Sequence, residues 1–169
     1  IANKILCVTS GNHEARSYKQ DGIDLLYFFC AELGITEKYD PVGLVCTIRL
    51  GENAKKNRIR YDLYVTHGTG NGGRTIGGKA NGLERRSNIV VNCDIYINGH
   101  THTEMVFRDS IFYVDGQNSQ ICQKDRVFVN ASSPLKYESY AHTFGLKPSS
   151  IFSPKIILNG NEKLATVIA

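Results

Sequence analysis

The chain is 169 residues long, 41% hydrophobic and 21% charged, with a net charge of +4. That length fits one domain with a sizeable core, and the composition excludes a disordered or fibrous chain. No apolar run reaches the roughly 18–20 residues of a membrane helix, so no membrane partner is expected.

The five cysteines, Cys7, Cys30, Cys46, Cys93 and Cys122, are odd in number, widely spaced and free of any Cys-x-x-Cys pair. They read as reduced thiols, mostly core residues, of a cytoplasmic protein. The apolar run Ile5–Ser10 predicts a strand that ends in Gly11-Asn12-His13-Glu14. A polar loop over 15–20 follows. A helix is then expected from an Asp21 N-cap, with Ile23, Leu26, Tyr27, Cys30 and Leu33 on one face and Gly34 closing it.

Pro41–Leu50 reads as the next strand. The basic run over 51–60, with Lys55, Lys56, Arg58 and Arg60, reads as a solvated hairpin turn. Tyr61–Thr66 alternates apolar and polar residues as a strand does and delivers His67-Gly68. Between Gly68 and Gly82 lie six glycines, counting Gly82 but not Gly68, matching neither a P-loop nor a dinucleotide-binding fingerprint. A Gly-rich lid over 68–82 is the better expectation, with Arg74 and Lys79 as phosphate contacts. Ala80, Leu83, Ser87, Val90 and Val91 form the stripe of a short helix, with Arg85 and Arg86 on its outer side.

The strand Asp94–Asn98 ends in Gly99-His100-Thr101-His102, the stretch around which the chain is organised. Beyond it come strands alone: Met105–Val114, Ser119–Ala131 and Lys155–Ile168, the last a hairpin turning at Asn159-Gly160-Asn161. Four of the five histidines thus follow predicted strands beside a Gly. Loops at the carboxyl ends of strands are where a rigid scaffold gathers ligands and catalytic groups, and neutral imidazole is the commonest protein ligand for a transition metal. His142 has no such setting and reads as structural or exposed.

Taken together, Gly11-Asn12-His13-Glu14, His67-Gly68 and Gly99-His100-Thr101-His102 resemble, in order and spacing, the last three motifs of the calcineurin-like metallophosphoesterases. The family pattern is D-x-H, G-D, G-N-H-[DE], H and G-H-x-H on a four-layer αββα sandwich with two metals. The likeness covers Ile1 to about Met105 and leans toward small bacterial or phage-type members. It implies an α+β fold of that αββα type, with the β-rich tail forming the second sheet, in a single domain over 1–169. It also implies hydrolysis of a phosphate monoester or diester by a metal-activated water. Asn12, His67 and His100 would hold the second metal, and His102 would reach the first. His13 would serve the leaving oxygen, and Glu14 would orient His13. Two divalent ions about 3.5–4 Å apart clamp a phosphate oxygen and acidify a water, and the nitrogen and oxygen donors suit Mn, Fe, Zn, Ni or Co.

The departure from the pattern is as specific as the match. No Asp-x-His and no Gly-Asp occurs anywhere in the 169 residues. The expectation is a carboxyl-terminal part of such an enzyme, missing its first strand or strands, with at most one metal and little turnover. Its open sheet edge would invite a homodimer or an element swap. The alternatives are a nuclease or phosphodiesterase using Lys55, Lys56, Arg58 and Arg60 on nucleic acid, and a non-catalytic binding module that retains the fold.

Overall fold

The structure, a computed structural model, describes residues 1–51, 58–69, 75–133, 143 and 153–168. Arg74, Lys55, Lys56 and His142 lie outside the described residues.

The centre is a mixed five-stranded sheet in the order β3-β4-β5-β7-β6, built from β3 (Leu44–Leu50), β4 (Ile59–Val65), β5 (Ile95–Asn98), β6 (Met105–Asp115) and β7 (Gln120–Asn130). β5 runs parallel to both neighbours, while β3 and β6 pair antiparallel at the edges. Alternation decides what each face carries. Ile59, Tyr61 and Leu63 of β4, Ile95 of β5, and Val127 and Val129 of β7 form one apolar face. The hairpin of β8 (Lys155–Leu158) and β9 (Ala165–Ile168) covers it with Ile156, Leu158, Ala165 and Val167. On the other face Tyr64, Tyr96 and Phe128 meet Leu83 of α3 (Ile76–Glu84), with Cys93 and Val90. Tyr96 and Phe107 stack on either side of the Phe128 ring, at 5.0 and 4.7 Å. The described core is therefore helix on sheet on sheet, a mixed α+β arrangement, and each buried large side chain stabilises it by about 1.5–3 kcal/mol.

A second, smaller group precedes the sheet. β1 (Val8–Thr9) pairs parallel with β2 (Tyr39–Asp40), and between them run α1 (Glu14–Asp21) and α2 (Leu25–Glu32). Thr66 Oγ1 donates to the Val42 carbonyl at 2.8 Å, tying this group to the end of β4.

Several local expectations change. Residues 15–20 are not a loop but most of α1, whose first turn begins where Ala15 N donates to Gly11 O. Asp21 ends that helix; the N-cap of α2 is Asp24, whose carboxylate accepts from Tyr27 N at 3.0 Å. Of the 68–82 stretch expected to be a Gly-rich lid, residues 70–74 lie outside the described residues; Thr75 then caps α3 through Gly78 N, and the helix absorbs Gly77, Gly78 and Gly82. Glycine costs each such position about 1 kcal/mol relative to Ala, and tertiary packing through Leu83 overrides it. The β-rich tail also divides differently. β6 and β7 extend the first sheet, and among the described residues β8–β9 form the facing layer.

That facing layer is keyed by one hydroxyl. Tyr61 is buried, and its OH meets the carbonyls of Asn159 (2.7 Å), Glu162 (3.0 Å) and Leu164 (3.0 Å) and accepts from Leu164 N (2.9 Å). Tyr61→Phe keeps the ring and strands those backbone groups, so it should lower stability by about 1–3 kcal/mol in chemical denaturation. An unchanged unfolding midpoint would remove this hydroxyl from the account of the β8–β9 turn.

Candidate metal centre

β4 and β5 are parallel with Leu63, Tyr64 and Val65 opposite Ile95, Tyr96 and Ile97, so both carboxyl ends reach the same edge. The pairing continues past the strands: Thr66 N donates to Ile97 O and Gly99 N to His67 O, each at 3.1 Å. His67 and His100 are thereby delivered side by side. Gly68 (φ +89°) turns the first strand away, and a Cβ there would lie 1.9 Å from Asn98 Oδ1, so only glycine fits.

The Gly99–His102 turn is strained. His100 (φ +62°) and His102 (φ +51°) are both left-handed, which for a non-glycine residue costs on the order of 1 kcal/mol or more each. Surrounding side chains hold it there. Asn130 Nδ2 donates to Thr101 Oγ1 (2.9 Å) and Thr103 O (2.6 Å), and Asn98 Nδ2 to Asn130 Oδ1 (3.0 Å). Lys79 Nζ donates to Thr101 O (3.2 Å) and to Thr103 Oγ1. Lys79, expected to contact phosphate, stands beside His102 and spends its ammonium pinning this turn.

Asn12 arrives from the third loop, between β1 and α1. Gly11 lets that loop come close, since a Cβ on it would lie 3.1 Å from His67 Cε1. The outcome is a triangle of donor atoms. Asn12 Oδ1 lies 2.8 Å from His67 Nε2 and 3.1 Å from His100 Nδ1, and the two imidazole nitrogens are 3.0 Å apart.

Proton counting shows what this triangle lacks. An amide oxygen only accepts, and each neutral imidazole brings at most one N–H to the triangle. If both nitrogens carry protons they oppose each other; if one does, a lone pair faces a lone pair elsewhere. A cation satisfies all three at once. The edge of an octahedral site with bonds of about 2.1 Å is about 3.0 Å, so the observed spacing fits two nitrogens and one oxygen on one face of such a site. Among the described residues no group of three His, Cys, Asp or Glu side chains could hold a metal ion; this cluster is two imidazoles and an amide.

The other expected residues are nearby in different roles. His102 makes no bond to the triangle, but its charge is felt by His67, and the charge of His100 by His102. His13 is the exposed N-cap residue of α1, close enough to act electrostatically on His67, His100 and His102. Glu14 does not orient His13: its carboxylate accepts from Gly11 N at 3.0 Å, closing its own loop beside His67. Arg86, read from its helical spacing as solvent-facing, is half-buried instead. It donates to Thr69 Oγ1 at 2.8 Å, keeps a buried Nε without a partner, and lowers the pKa of His100 by its charge. The helical stripe missed Arg86 because the helix breaks at Arg85, and α4 (Arg86–Ile89) restarts with a new phase. Of the basic run, Arg60 pairs with Asp62 at 2.9 Å and stays more than half exposed.

Burial lowers the pKa of His67, His100 and His102 alike. The neighbouring positive groups add to it, His100 on His67 and His102, His13 and Arg86 on His100; Glu14 alone opposes it at His67. The three imidazoles are therefore neutral at pH 7, with lone pairs available.

Against known proteins, the chain matches no family model, no curated protein and no solved structure.

The depressed imidazole pKa values fix a pH dependence for the metal-free protein. The unfolded chain takes up protons first as pH falls through about 6.5, so acidification favours unfolding, and the penalty grows until the folded imidazoles titrate. Thermal melts with a chelator from about pH 8 to 5 should show Tm falling below about pH 6.5, less steeply in a His67→Gln/His100→Gln double variant. A variant that follows the parent curve would refute this assignment.

Proposed function

We propose that this chain is a metal-dependent phosphoesterase of the calcineurin-like type, with Asn12, His67 and His100 holding a divalent ion. The observation that carries the reading is the donor triangle: three side chains from separate loops, two of them on strained or glycine-dependent turns, converge within 3.1 Å. Random packing of polar side chains does not strain backbone to bring lone pairs together. The αββα fold type belongs to the same proposal, supported by the helix–sheet–sheet stacking and by α1 and α2 beside β1–β2.

A divalent ion held there supplies Lewis acidity toward a phosphate oxygen and lowers the pKa of a bound water. The donors suit Mn, Fe, Zn, Ni or Co. The carboxylates that the family pattern uses for a second ion are missing from the sequence, so these residues account for one ion and low turnover. His13, exposed at the start of α1, protonates the leaving oxygen. Glu14 holds the Asn12 loop and tempers the charge at His67. Arg86, its guanidinium beside His100, binds the phosphate oxygens, the task for which a planar, permanently charged fork is suited. His102 is the ligand nearest to hand for a second cation.

Titrating the chelated protein with Co²⁺ or Mn²⁺, followed calorimetrically and by the visible spectrum of cobalt, tests the centre directly. Asn12→Ala, His67→Ala and His100→Ala should each weaken binding at least about tenfold. Unchanged affinity in the two histidine variants would end the reading. Arg86→Met separates anion from cation: inorganic phosphate should bind about tenfold more weakly to the metal-loaded protein while metal affinity holds. Loss of metal affinity instead would recast Arg86 as part of the scaffold.

A further inference from the structure

We propose that the cleft between the β6–β7 hairpin and the β8–β9 turn binds a small zwitterion, its anionic group against Arg108 and Lys163 and its ammonium against Asp125. The pairing register builds this cleft. β5 pairs with Val127–Asn130, and the remaining β6–β7 ladder, out to Asp115 and Gln120, projects past it. The face carrying Val127 and Val129 packs on Ala165 of β9, so by alternation Gln123 and Asp125 continue that face. Arg108, opposite Val127, joins it from β6 and donates to the Ala165 carbonyl. Overhang and turn enclose about 620 Å³, the size of a small-molecule site.

The charges of the cleft balance in number, and the fold separates them. Arg108, Lys124 and Lys163 line it with Asp94, Asp115 and Asp125. Asp94 is level with Val127, whose N–H donates to the Asp94 carbonyl at 2.9 Å. Lys124 and Lys163 both reach Asp94 Oδ1, at 3.0 and 2.8 Å, so with Arg108 three cations share the inner end with one carboxylate. Among the described residues no hydrogen bond is aligned on that oxygen. Lys124 gives an N–H to Asn92 O, and the ammoniums keep further N–H groups for another acceptor. Cations gathered this closely favour an anion between them.

The outer end has the opposite sign. Asp125 lies two residues beyond Val127, about 7 Å at the rise of a strand, and Asp115 lies nearer the hairpin tip. Among the described residues these acids bond a hydroxyl and a backbone N–H rather than a cation: Asp125 accepts from Ser110 Oγ at 2.5 Å, and Asp115 from Gln117 N at 3.0 Å. A plain anion meets repulsion at the outer end, and a plain cation at the inner one. A molecule with an anion and an ammonium about 7 Å apart satisfies both. Val114 and Leu164 line the same cleft and suit the carbon chain that joins the two groups. An ω-amino acid and a phosphorylated amine share this chemistry.

Calorimetric titration of the chelated protein with ε-aminocaproate, phosphoethanolamine, caproate and hexylamine tests the proposal. At least one zwitterion should saturate below about 10 mM and bind about tenfold more tightly than caproate or hexylamine. Which zwitterion binds more tightly tells a carboxylate ligand from a phosphate one. Lys163→Met, at a half-exposed side chain, should weaken the zwitterion and caproate alike by about tenfold. Asp125→Asn should weaken the zwitterion about fivefold and leave caproate unchanged. In the unaltered chain the amide resonances of Gly116, Gln123 and Leu164 should shift, a readout that needs no variant to fold. The inference is overturned by absent saturation, by caproate matching both zwitterions, by affinities blind to both variants, or by shifts confined to Asn12, His67 and His100. The metal is removed throughout, so failure here leaves the phosphoesterase proposal untouched.

Discussion

The parallel pairing of β4 with β5 is the constraint from which the rest of the site follows. Because the ladder runs two residues beyond the strands, through Thr66 to Ile97 and Gly99 to His67, the side chains that come next have no freedom to separate. His67 and His100 must lie abreast, and the chain must leave sharply to avoid its neighbour. Gly68 does so at no steric cost. His100 and His102 do so at a cost, and that cost is offset by Asn130 and Lys79, which bond the turn in the one shape it takes. Strain that is over-determined in this way cannot relax without breaking several buried hydrogen bonds.

The opposite end of the same two strands fixes their register. Asp94, 5% exposed at its side chain, accepts from Asp62 N at 2.8 Å and pairs with Lys124 at 3.0 Å and Lys163 at 2.8 Å. Buried ion pairs of this kind add little net stability, since desolvation cancels most of the attraction. What they add is discrimination. A slip of one residue between β4 and β5 would exchange the faces of every side chain, strand the Asp94 carboxylate and misalign His67 against His100. A cleft of about 620 Å³ opens beside these charges, and no histidine lines it.

How far the sequence could be read follows from which forces are local. Tyr61–Thr66 and Asp94–Asn98 read as strands from their apolar alternation although the sheet buries both faces there, and the small residues after them mark the turns. The likeness of Asn12, His67, His100 and His102 to a family pattern put these residues in one neighbourhood; the structure brings three of the four into contact. What sequence could not supply is tertiary. Glu14–Asp21 buries no residue and so has no apolar stripe to betray it as a helix. Arg86 faces inward because the helix breaks one residue earlier. β6 and β7 alternate as any strand would, and only the pairing of Val127 with Ile95 decides which sheet they join. Nothing near residue 100 announces that Asn130 will hold its turn.

The charges around the triangle divide in a way that bears on chemistry. Burial, with the charge of Arg86 at His100 and of Lys79 at His102, keeps these imidazoles neutral. A guanidinium cannot be a metal ligand, and neutral imidazoles cannot by themselves attract an anion. In the proposed function the two are complementary: the nitrogens would bind a cation, and Arg86 would donate to the oxygens of an ester drawn to that cation. Were the histidines protonated instead, the cluster would repel a metal and bind any anion indiscriminately. Depressing their pKa values leaves lone pairs available to a cation beside a fixed positive charge, an arrangement that suits the proposed metal-assisted ester hydrolysis.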